Sequence, residues 1–76
     1  MAKIRKTAEE IEALLLEELR KVEHCEGARS VTIRTFVDGS WAIAFFNAGR
    51  SDPNTCQRAL WDIEPRLQEQ YDLADS

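Results

Sequence analysis

A chain of 76 residues is long enough for one small domain with a thin core, because a chain this short buries only roughly 60% of the surface it exposes when unfolded. A hydrophobic content of 43% beside 32% charged residues excludes the polar, strongly charged composition of a disordered chain. The net charge of -4 disfavours a nucleic-acid partner, and no segment approaches 18 uncharged residues, which argues against a membrane role.

The first six residues, Met1 to Lys6, are basic in the way a leader segment is, but Thr7-Ala8-Glu9-Glu10 stands where an apolar stretch would have to begin. The expectation is a cytoplasmic protein forming a single domain over 1–76, with 1–6 as a flexible basic N-terminus. Thr7 and Glu10 then form a capping box, and Ile11, Leu14, Leu15, Leu19, Val22 and Cys25 fall on one arc at about 100° per residue. This predicts a first helix that ends near Cys25 or Glu26, with Gly27 in the left-handed conformation and Arg20, Lys21 and His24 at the negative end of the dipole.

Two strands follow, separated by the turn signal Asp38-Gly39. Val31, Ile33, Thr35 and Val37 alternate with Thr32, Arg34 and Phe36 in the first; Trp41, Ile43 and Phe45 alternate with Ala42, Ala44 and Phe46 in the second. A two-residue loop would pair Arg34 with Ile43 and mix the faces. A three-residue loop with Gly39 left-handed groups Val31, Ile33 and Thr35 with Trp41, Ile43 and Phe45 on the core face, leaving Thr32, Arg34, Phe36, Ala42, Ala44 and Phe46 on the other.

Asp52 and Pro53 suit the N-cap and first position of a second helix, whose stripe is Cys56, Ala59, Leu60, Ile63, Leu67 and Tyr71. Pro65 predicts a kink, since the stripe keeps its phase past it. The helix should fade by Asp72 to Leu73, with 73–76 frayed, and Trp61 lies off the stripe as the exposed aromatic.

The chemical candidates are few. Topology brings His24, Cys25 and Cys56 to one end, where a thiol at a helix start assisted by histidine is the minimum for redox or nucleophilic chemistry. Both cysteines sit on apolar arcs, however, and read as small core residues. Two cysteines are too few for a disulfide scaffold, which suits a reducing compartment; a zinc site would need Asp52 or Glu26 as a fourth ligand and closer paired spacing. The glutamates of the first helix, and Asp62 and Glu64 of the second, read as solvated faces. The reading is therefore no catalytic, cofactor-binding or metal-binding residue, and no enzyme.

What remains is the second sheet face. The fold class expected is α+β, in the order α-β-β-α, with two helices packed on one face of an antiparallel hairpin. The second strand carries no charge or proline to protect its edge, so the sheet is expected to be completed by homodimerisation in the order 1-2-2′-1′. The function expected is a protein-interaction module that self-associates through its hairpin, with Arg34, Phe36, Ala42, Ala44, Phe46 and Trp61 as the interaction surface. Another protein is a further partner class. The alternative is a single-stranded nucleic-acid binder that stacks bases on Phe36 and Phe46 beside Arg34.

Overall fold

The computed structural model describes residues 3–74. It has an α+β fold with six elements: β1 (Ile4–Lys6), α1 (Ala8–Arg20), β2 (Ser30–Thr35), β3 (Trp41–Asn47), α2 (Pro53–Gln70) and β4 (Tyr71–Leu73). Met1, Ala2, Asp75 and Ser76, which belong to the two terminal segments expected to be loose, lie outside the described residues.

The capping box at the start of α1 is formed in both directions: the Glu10 N–H donates to Thr7 Oγ1 at 3.2 Å and the Thr7 N–H donates to Glu10 Oε1 at 3.0 Å. These bonds hold the Glu10 carboxyl below its ordinary range. Ile11, Leu15 and Leu19 are buried on one side of the helix. The helix ends at Arg20, about a turn before the expected stop, and it is His24, at φ 73°, that takes the left-handed conformation rather than Gly27. Between them the backbone makes successive three-residue turns, with N–H groups of Val22, Cys25 and Ala28 bonded to the carbonyls of Leu19, Val22 and Cys25. Those turns carry Cys25 and Ala28 into the core, which a continuing helix would not do for both.

Gly27 has another role. Its N–H donates to Ser51 Oγ at 2.9 Å, and a Cβ on Gly49 would stand 2.3 Å from the Gly27 carbonyl oxygen. The chain leaving α1 and the chain entering α2 therefore touch backbone to backbone.

β2 and β3 pair antiparallel around a three-residue loop, Val37-Asp38-Gly39, closed by the Phe36 N–H on the Ser40 carbonyl at 3.0 Å, with Gly39 at φ 89°. Asp38 accepts from the Ser40 hydroxyl at 2.6 Å and the Ser40 N–H at 3.0 Å, which keeps its carboxyl low. Thr35 faces Trp41 and Ile33 faces Ile43, as the parity argument requires. The register then shifts: Thr32 pairs with Phe45 and Val31 with Phe46, so Ala44 is the extra residue of a bulge. One inserted residue reverses the side-chain alternation, which corrects the expected placement of both phenylalanines. Phe46 packs against the core and Phe45 is exposed.

Val31, Ile33 and Trp41 join Ile11, Leu15, Leu19, Cys56, Leu60, Ile63 and Leu67 in one core, in which α1 packs on β2 and α2 packs on α1 and β3. α2 runs unbroken through Pro65, whose absent N–H leaves the Trp61 carbonyl on the exposed side of the helix.

The ends of the chain differ from expectation. Ile4–Lys6 is a strand rather than a loose arm, paired in parallel with Tyr71–Leu73, and Tyr71 is extended rather than helical. The pair is anchored by the Leu73 N–H on the Gly39 carbonyl at 3.0 Å, the Ala74 N–H on the Lys6 carbonyl at 2.8 Å and the Trp41 indole N–H on the Tyr71 carbonyl at 3.1 Å. Lys6 also lies over the Tyr71 ring, 5.7 Å from its centre. Both short strands thus close over the turn end of the hairpin.

Candidate functional site

Two strands span about 10 Å whereas two helices side by side need roughly 20 Å, so both helices reach past the hairpin. The overhang has a chemical use. In an antiparallel pair the backbone groups of alternate residues point away from the partner strand, and those of Ile33 and Ile43 do so here. Glu12 of α1 accepts the outward Ile33 N–H at 3.0 Å, and Glu64 of α2 accepts the outward Ile43 N–H at 2.7 Å. Gln68 donates to the Trp41 carbonyl at 2.8 Å. Each free edge is thus capped at its centre by side chains of the adjacent helix, and a second chain pairing with β3 between Trp41 and Ile43 would have to displace Glu64 and Gln68.

Beside that capped edge lies a groove of about 350 Å³ between β3 and α2. Phe46 and Leu60 line it, together with Ala44 of the bulge, and two aromatic residues stand on it: Phe45, 65% exposed, and Trp61, 66% exposed. The bulge presents Phe45 there, and the phase of α2 presents Trp61, one turn before Pro65 and off the buried stripe.

The residues expected to form one surface are divided by this arrangement. Arg34, exposed, pairs with Ala42 on the outer sheet face, and Phe36, 48% exposed, lies beyond them at the loop. Ala44, Phe46 and Trp61 line the groove. Phe46, expected beside Arg34 and Phe36, turns inward; Phe45, paired with Thr32, takes that place on the outer face. Phe45 is therefore shared by the outer face and the groove. Neither the exposure of Phe45 nor the capping by Glu12 and Glu64 follows from alternation alone. The available signals were the adjacent Phe45-Phe46, which cannot both face a core in regular alternation, and glutamates at the margins of both apolar stripes.

At the open end of the hairpin, Cys25 and Cys56 are free and fully buried. Burial first, then a hydrogen bond with the Cys25 thiol and the neighbouring charge of Asp52, push the Cys56 thiol up to about 12. That is the reverse of the depressed value a nucleophilic cysteine at a helix start needs. His24 is exposed, next to Glu23 at 3.9 Å, and is not among the groups acting on Cys56. Among the described residues no three His, Cys, Asp or Glu side chains gather as metal ligands, and no helix is long and apolar enough to cross a membrane. No protein-family model, curated protein or solved structure matches the chain.

Proposed function

We propose that this protein is a small non-enzymatic interaction module that self-associates on the β3 side of its hairpin, with Phe45 and Trp61 as the contact residues. The observation that carries the reading is that two large aromatic residues, each about two-thirds exposed, stand on one groove in which Ile43, Ala44, Phe46 and Leu60 lie beside Gln57 and Glu64. Aromatic anchors around an apolar centre are the composition of protein interfaces, where tryptophan and its neighbours supply most of the binding energy. A two-fold axis beside β3 would let Phe45 of each chain enter the groove of the other, covering both with one contact. Because the edge is capped by Glu64 and Gln68, the contact is made by side chains rather than by extending the sheet.

Light scattering on the purified chain tests this. The expected result is a dimer at high micromolar concentration, reduced to monomer by Phe45→Ser or Trp61→Ser with circular dichroism unchanged. A wild-type monomer over that range would refute self-association.

A second reading has an observation of its own. Phe36 and Phe45 flank exposed Arg34 on the outer face, the pattern of stacking rings and a cation used by single-strand binders. The net charge of -4 counts against it. Binding to a fluorescent single-stranded oligonucleotide that falls steeply with added salt, and is lost in Arg34→Ala, would favour this reading over the first.

A further inference from the structure

Cys25 and Cys56 come from opposite halves of the chain and meet in its core. The meeting is fixed by backbone as well as by packing: the Gly27 N–H donates to Ser51 Oγ at 2.9 Å, and Gly49 lies against the Gly27 carbonyl with no room for a side chain. Within this contact both thiols are fully buried, and the Cys25 thiol and the Ser51 hydroxyl are among the groups that act on the Cys56 thiol. Two free thiols buried in one core, on segments already held together, differ from a single core cysteine because each can serve as the other's reaction partner.

We propose that Cys25 and Cys56 form a reversible intramolecular disulfide that staples the segment leaving α1 to the start of α2. The oxidant is a low-molecular-weight aliphatic disulfide of the glutathione class. One protein thiol loses its proton and attacks a sulfur of the oxidant, releasing one small thiolate and leaving a mixed disulfide. The second thiol, after losing its proton, attacks the protein sulfur of that bond and expels the other small thiolate, which takes up a proton. The protein gives up two electrons and two protons, and the oxidant becomes two small thiols.

The raised Cys56 thiol makes thiolate scarce in the folded state. Exchange therefore runs through opening of the contact, and the state set during folding persists. This device is independent of the groove beside β3 and stands whether or not the chain associates there.

The test refolds the full chain in glutathione buffers spanning reducing to oxidising potentials, followed by acid quenching, unfolding and alkylation. Mass spectrometry of oxidised monomer should show the loss of two hydrogens and no alkylated cysteine, reversed in reducing buffer. The melting temperature of the oxidised form should exceed that of the reduced form by about 10 °C or more, because the closed loop is long and the domain small. Cys25→Ala should abolish both the mass change and the gain in melting temperature; if that variant does not fold, the wild-type comparison decides alone. Persistence of two alkylatable thiols after oxidative refolding would overturn the proposal, as would only mixed or intermolecular disulfides, or an oxidised form that melts lower.

Discussion

Removing the Glu64 carboxylate should loosen β3 at its centre. The 2.7 Å bond from the Ile43 N–H to Glu64 is charge-assisted, and bonds of that kind contribute about 1.5–3 kcal/mol. Glu64 and Ile43 are only half-buried, so water can replace part of the bond, and alanine slightly favours the helix. A loss of about 1–2 kcal/mol for Glu64→Ala is therefore expected, or a fall in melting temperature of about 5–15 °C for a domain of this size. Glu64→Gln keeps a neutral acceptor and should lose about half as much. Glu69→Ala, on an exposed position of the same helix, should change stability by less than about 0.5 kcal/mol. Urea unfolding gives the energies, and amide hydrogen exchange reads the bond itself: the Ile43 amide should exchange much faster in Glu64→Ala while that of Ala42, which faces β2, keeps its protection. Unchanged Ile43 exchange together with unchanged stability would refute the capping role.

Other substitutions and conditions have definite outcomes. Trp41 is 2% exposed and its indole also bonds the Tyr71 carbonyl, so Trp41→Ala should cost about 3–5 kcal/mol, a large part of the roughly 4–11 kcal/mol available, whereas Trp61→Ala should leave monomer stability nearly unchanged in denaturant melts. Gly49→Ala combines φ 61° with a Cβ 2.3 Å from the Gly27 carbonyl and should cost more than about 2 kcal/mol in the same melts, since relief requires parting two backbones. In alkali the reduced protein should lose stability from pH 9.0 upward: Cys56 keeps its proton to about 12 when folded but releases it near 9.0 when unfolded. The native state then binds more protons, so unfolding free energy falls as pH rises across that window, a limb that Cys56→Ala should remove. In acid the sign is opposite, because Glu10 and Asp38 are held low in the fold and their contribution disappears as pH falls through those lowered values.

Both helices and the pair of central strands are legible from period alone, because Ile11, Leu15 and Leu19 repeat at helical spacing while Val31, Ile33, Trp41 and Ile43 alternate. Caps were equally direct, since Thr7 and Glu10 satisfy each other's backbone N–H groups, Asp52 accepts the Asn54 N–H, and Pro53 has no N–H to satisfy. What period cannot encode is a break in itself. The bulge at Ala44 adds one residue with no composition of its own, and it moves Phe46 inward and Phe45 outward. The pairing of Ile4–Lys6 with Tyr71–Leu73 is equally hidden: three residues are too few to display alternation, and Tyr71 continues the helical phase of Leu67 while its backbone has already become extended. The candidate site inherits these gaps, with Trp61 readable from its helix and Phe45 readable only once the register is known.

A hairpin covered by two helices must resolve the excess width of its helical layer, and there are two physical routes. Adding strands from a second copy would widen the sheet, which the uncharged sequence of β3 invites by its composition. Turning helix side chains onto the strand edges satisfies the same outward groups within one chain, and Glu12, Glu64 and Gln68 do this. The second route leaves hydrophobic surface uncovered, because carboxylates and amides satisfy backbone polarity without covering apolar area. That uncovered area lies in the groove beside β3, where Phe45 and Trp61 stand. Edge capping and aromatic exposure are thus two results of one geometric mismatch, and the contact proposed above follows from both: burial of rings beside a strand whose outward groups at Trp41 and Ile43 are already bonded.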